Sequence, residues 1–201
     1  MFLKNLLIVT SLFVLSSCVE TVLVGTATTG TLVVREKSMD DTRKDIVISS
    51  AIATKFLENG LKNPGNSIDV TVNEGRVLLT GIARNPDKAN KASELAWRVA
   101  GVKEVIDEIQ LAKDSKMHFH DLANSFSDYL ISWQIETKLF LDKEISTTNY
   151  QITTVTKTVY LLGVASSEDE MNKVLSVISK VKGVKKVVNH AILVGDARRK
   201  K

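Results

Sequence analysis

The chain has 201 residues, 44% of them hydrophobic, which suits one or two small globular domains. Its net charge of +4 is only mildly basic and gives no argument for nucleic acid. A single cysteine, Cys18, excludes an intramolecular disulfide.

Met1-Phe2-Leu3-Lys4-Asn5 is a short basic start, Leu6 to Leu15 an apolar run too short to span a bilayer, and Ser16-Ser17 are small. Residues 1–17 therefore read as a secretory signal peptide. Leu15-Ser16-Ser17-Cys18 resembles the lipobox of bacterial lipoproteins. That resemblance implies cleavage before Cys18 and acylation of its thiol and then of the new amino group, with palmitate-type chains. Val19, where an Asp would favour inner-membrane retention, implies passage to the outer membrane, with the chain facing the periplasm. Residues 18–41 form the lipidated cysteine and a tether. The Gly- and Thr-rich run from Val22 to Thr31 is too apolar for a plain solvated linker.

In residues 42–112, Ile48, Ile52 and Phe56 recur every four residues behind Asp45, marking one face of a helix that Asn63-Pro64-Gly65-Asn66 stops. Ile68, Val70 and Val72 alternate, as do Val77 and Leu79, and Asn73-Glu74-Gly75 between them predicts a tight hairpin turn. Asn85-Pro86 opens a second helix as N-cap and first-turn proline, and Gly101 is expected at its C-terminal cap. Val102, Val105, Ile109 and Leu111 supply a last strand, in which Val105 is out of alternation and suggests a bulge. The order is α-β-β-α-β.

The linker, 113–123, contains His118-Phe119-His120. Without a third ligand in view these histidines read as a solvated loop, and no metal or cofactor is expected. Residues 124–195 then repeat the first unit. Gly81 and Gly163, Gly101 and Gly183, Val105 and Val187, and Val70 and Ile152 are all 82 residues apart. A constant offset through strand, turn and helix marks an internal duplication. Ile131, Ile135 and Leu139 take the places of Ile48, Ile52 and Phe56. Thr156-Lys157 replaces Glu74-Gly75, which predicts a different or looser turn. Ser167-Glu168-Asp169-Glu170 is a capping box. Residues 196–201 form a basic tail.

The acidic residue opening the first helix, the Asn-x-Gly hairpin, the Val-x-Leu-x-Gly strand end and the Gly-Val before the last strand together resemble the BON domain. Two such units behind a lipobox are similar to the dual-BON-domain outer-membrane lipoproteins. The implied fold is α+β: two tandem αββαβ domains, each a three-stranded mixed sheet with two helices on one face. The resemblance implies a non-enzymatic protein that supports outer-membrane and envelope integrity and binds anionic phospholipid through the first helix of its second BON unit.

The residues of that helix can be read on their own. At 100° per residue from Ile131, the core positions Ile135 and Leu139 lie at about 40° and 80°, while Tyr129, Phe140, Trp133 and Phe126 lie at about 160° to 220°. The first repeat places Ile46, Leu57, Ser50 and Arg43 there. By register the family's membrane-contacting position falls at or beside Leu130, flanked by Tyr129 and Trp133. Phe126, Tyr129, Leu130, Trp133 and Phe140 are thus the candidate phospholipid-binding residues. Three occupants of this face remain open: the other BON unit, a bilayer interface, or a protein partner such as an envelope protein or a second copy. The last would make the protein a periplasmic adaptor. Lys138, Lys143 and the 198–201 tail are candidates for attraction to anionic headgroups. No nucleophile-base constellation, G-x-S-x-G or P-loop pattern is found, and no enzymatic activity is expected.

Overall fold

A computed structural model describes residues 39–63, 66–112 and 120–200, without the side chains of 120–124 and 200. The leader, Cys18, the tether up to residue 38 and the His118-Phe119 pair lie outside the described residues, while residues 39–41, expected in the tether, open the first helix. The first repeat comprises α1 (Met39–Glu58), β1 (Lys62–Asn63), β2 (Asn66–Asn73), β3 (Arg76–Ala83), α2 (Pro86–Trp97), β4 (Glu104–Asp107) and β5 (Gln110–Leu111). The second comprises α3 (His120–Leu141), β6 (Tyr150–Val155), β7 (Thr158–Ala165), α4 (Glu168–Ser179) and β8 (Lys186–Leu193). No described helix is long and apolar enough to cross a membrane.

Each repeat builds one mixed sheet. β2 runs antiparallel to β3, which is parallel to β4 and β5. Likewise β6 is antiparallel to β7, and β7 parallel to β8. The parallel pairing follows from the helix inserted between the two strands, since a parallel neighbour needs a crossover. The first sheet carries an extra two-residue strand, β1, on the edge of β2. Val105 marks no bulge. Arg76 pairs with Glu104 and Ile82 with Gln110, so the register is the same on both sides of the break between β4 and β5. At that break Ile109 N donates to Asp107 Oδ1 at 3.0 Å.

The helices cover one face of each sheet. Ile48, Ile52 and Phe56 of α1 pack on Ile68, Val77 and Leu79 and on Ala92, Leu95 and Ala96 of α2. Ile131, Ile135 and Leu139 of α3 pack on Val159 and Leu161 and on Val174 and Ile178 of α4. The helix ends differ from the expectation in detail. Asn85 caps α2 through its side chain, accepting from Lys88 N at 3.1 Å. The helix then closes at Arg98, so Gly101 sits in the turn beyond it, against Ile48. The capping box at α4 is half formed: Ser167 Oγ accepts from Glu170 N at 3.1 Å. The Glu170 carboxylate instead accepts from Ser166 N at 2.8 Å and Ser146 N at 2.9 Å, joining the helix to the loop before β6.

Gly81 and Gly163 are required by close approach. A Cβ at Gly81 would lie 1.9 Å from Ser67 O, and one at Gly163 2.3 Å from Asn149 O. The partner strand thus crosses directly over each glycine.

The second hairpin turn is of the same kind as the first. Glu74 and Gly75 have φ of 52° and 79°, and Thr156 and Lys157 have φ of 48° and 66°, so both turns place two residues in the left-handed region. The Thr-Lys pair is held there by a buried carboxylate. Asp128 accepts from Thr156 N at 2.6 Å and from Lys157 N at 2.8 Å. Asp45 does the same in the first repeat, accepting from Glu74 N at 2.7 Å and Gly75 N at 2.9 Å. The acidic residue of the first helix is therefore a clamp on the hairpin turn.

The two repeats dock through the sheet faces opposite their helices. Leu78, Tyr160 and Leu162 are buried there, with Ile106, Val155 and Val188 around them. Equivalent residues meet one another: Thr71 and Thr153 hydroxyls are 3.3 Å apart, and Glu108 lies 2.9 Å from His190 Nε2. Each pair is 82 residues apart, so both lie on a pseudo-two-fold axis, the internal counterpart of an isologous dimer contact. Polar groups complete the seam. Arg76, 1% exposed, donates to Glu104 and to His190 O, and Gln110 donates to Val155 O and Tyr160 Oη. The C-terminal segment straps across it, since Arg199 makes two bonds to the Glu74 carboxylate, at 2.7 and 2.8 Å.

Candidate functional site

α3 is apolar on two sides. Ile131, Ile135 and Leu139 are buried beneath it, while Phe126 is 64% exposed, Tyr129 66%, Leu130 38%, Trp133 55% and Phe140 77%. From Phe126 to Phe140 the row extends about 21 Å at about 1.5 Å per residue. Asp128, in the third turn of the helix, holds it against the hairpin turn, and Ser132 Oγ lies 2.8 Å from Thr154 Oγ1 on β6. The helix is thus held by its inner face alone. The other repeat does not cover the outer face, because the sheets use the opposite side for docking.

The five candidate residues do not share one environment. Trp133 and Phe140 line a groove of about 800 Å³ between α3 and α1, with Ile46 and Ser49 across from them and Thr71, Ile152 and Thr153 on its floor. Phe126, Tyr129 and Leu130 lie outside it, toward the start of the helix. Sequence reasoning missed the groove because its walls come from both repeats. The one available signal was the pair Thr71 and Thr153, polar at equivalent strand positions.

The cationic candidates also separate. Lys138 and Lys143 are exposed. Arg198 pairs with Asp196 and Arg199 with Glu74, so the described part of the tail is a folded strap with its guanidinium groups engaged. Beneath the helices Tyr150 is buried, and desolvation, with the Glu170 charge beside it, pushes its phenol well above the ordinary value. No group of three or more His, Cys, Asp or Glu side chains that could hold a metal occurs among the described residues.

A duplicated αββαβ unit with a turn-clamping aspartate defines a class of small tandem-repeat α+β proteins. Residues 44–113 and 127–195 each match the family described as BON domain, and the chain belongs to that family, with two BON domains. It is similar to the outer membrane lipoprotein DolP of Haemophilus influenzae, with 28% identity over 87% of this chain and 87% of that one. An uncharacterized protein of the gshII 5' region of Anaplasma centrale is 40% identical over 74% of this chain and 94% of its own. A 21 kDa hemolysin of Actinobacillus pleuropneumoniae is 26% identical over 72% of this chain and 71% of that one.

Proposed function

We propose that the protein is a non-enzymatic lipoprotein of the outer membrane, anchored by acyl chains on Cys18, whose second BON domain rests on anionic phospholipid through the outer face of α3 and thereby supports envelope integrity. The observation that carries this reading is the row Phe126, Tyr129, Leu130, Trp133 and Phe140, exposed on a helix whose other face is core. The printed name of the Haemophilus relative supports the membrane and the anchor. Trp and Tyr suit the boundary between water and lipid, having apolar bodies and polar tips. Burying one aromatic removes about 150–250 Å² from water, or roughly 4–6 kcal/mol. Partial insertion of two or three rings is therefore a positioning force, while the acyl chains supply the anchorage.

The fragment 39–201 suits the test, because all three apolar clusters are built from residues within it. With Trp97 replaced by Phe, Trp133 emission is expected to shift blue on adding phosphatidylglycerol vesicles, and the Tyr129→Glu/Trp133→Glu variant is expected to stay in solution. Absence of a shift with anionic vesicles refutes the reading. A second reading, an adaptor that takes a protein partner or another copy, is favoured by the groove that Trp133 and Phe140 share with α1. Self-association lost in Trp133→Ala, without lipid binding, would select it.

A further inference from the structure

We propose that Lys157, Lys180, Lys182, Lys185 and Lys186 form a headgroup-binding site for anionic phospholipid beside the Asp128–Ile131 stretch of α3, so that this part of the helix, rather than its Phe140 end, meets the phosphate layer. The inference rests on the lipid-facing reading of α3 and adds the residues that supply its charge selectivity.

These lysines come from two segments that the fold gathers at one corner. Asp128, next to Tyr129, binds the backbone of the turn that holds Lys157. Lys185 N donates to Lys157 O at 2.9 Å, tying the loop before β8 to the same turn. Gly183 in that loop faces Ile131 of α3, since a Cβ there would lie 3.1 Å from the Ile131 side chain. Lys180 closes α4, and Lys182 lies between it and Gly183. The loop therefore sits against the inner side of α3 near its middle, at Asp128 and Ile131, in the stretch that also carries Tyr129. Lys180, Lys182, Lys185 and Lys186 are exposed and Lys157 is half-buried, and none of the five is in an ion pair among the described residues.

The first repeat supplies an internal control. At the 82-residue offset it carries Gly75, Arg98, Ala100, Lys103 and Glu104, two cations and one anion where the second repeat has five cations. Its corner forms a cavity of about 410 Å³ lined by groups of both signs: Asp41, Glu74, Arg43, Lys44 and Lys103. The outer face of α1 likewise lacks aromatic residues. Duplication has thus changed the helix face and the adjoining corner together, in one repeat only, toward apolar and cationic character. Cations at a helix C-terminus are favourable on their own. That accounts for Lys180 and Lys182, but not for Lys157, Lys185 and Lys186 in a turn and a strand start. Apolar side chains edged by unpaired cations match a lipid surface that presents phosphate above acyl chains.

The test is equilibrium binding of fragment 39–201 to vesicles of phosphatidylcholine with about 30% phosphatidylglycerol and to pure phosphatidylcholine. Each lysine near such a surface contributes about fivefold. The Lys180→Gln/Lys182→Gln/Lys185→Gln variant is therefore expected to bind the anionic vesicles about a hundredfold more weakly, with a shallower salt dependence. A variant losing equal charge on α2, Lys88→Gln/Lys91→Gln/Arg98→Gln, is expected to bind within about threefold of wild type. Binding by the loop variant within twofold of wild type, or an equal loss in the α2 variant, overturns the proposal while leaving the aromatic reading of α3 intact. Wild type that binds neither vesicle overturns both.

Discussion

Asp128→Ala tests the clamp that lets a Thr-Lys pair form a left-handed hairpin turn. The carboxylate is 7% exposed as a residue and accepts two backbone N–H bonds, at 2.6 and 2.8 Å. Hydrogen bonds to a charged group contribute about 1.5–3 kcal/mol each, and part of that is recovered when water reaches the vacated turn. The strain of two non-glycine residues with positive φ, about 1–2 kcal/mol each, is present with and without the carboxylate and does not add to the loss. The expected loss is about 3 kcal/mol. At a slope of roughly 2 kcal/mol/M the urea midpoint falls by about 1.5 M, read from Trp133 fluorescence in the Trp97→Phe background of fragment 39–201. Asp45→Ala removes an equivalent pair of bonds and should cost a similar amount, about 3 kcal/mol. A loss under about 1 kcal/mol for Asp128→Ala would refute the clamp.

Two further predictions concern the core. Gly163→Ala drives a Cβ to 2.3 Å from Asn149 O and should destabilise the second repeat by more than about 3 kcal/mol, visible as a collapse of its thermal transition; wild-type stability would show that β6 can move aside. Tyr150 has its phenol raised by burial, so in the folded protein it stays neutral at pH values where the unfolded chain ionises. Stability is then full below about pH 10, the ordinary tyrosine value, and falls as pH rises above it. Tyr150→Phe should remove part of that alkaline loss in pH-dependent urea titrations while changing neutral stability little, and an unchanged alkaline limb would contradict the burial assignment.

The sequence by itself determined the repeat, the order of elements and the helix-side cores. Those depend on periods of two and about 3.6 residues and on the 82-residue offset, all local in the chain. It also marked the outer face of α3, since Phe126, Tyr129, Trp133 and Phe140 share the helical side opposite the core stripe, while leaving the occupant of that face open. What the tertiary structure decided is how the repeats meet. Leu78, Tyr160 and Leu162 interrupt a pattern that otherwise reads as one-sided strands, and only docking shows that β3 and β7 are buried on both faces. The same docking leaves α3 uncovered, engages Arg199 as a strap, and opens a groove beside Trp133. The turn at Thr156-Lys157 was illegible for a related reason. Its conformation is imposed by a carboxylate 28 residues away, and a turn propensity read from the two residues alone contains no term for that partner.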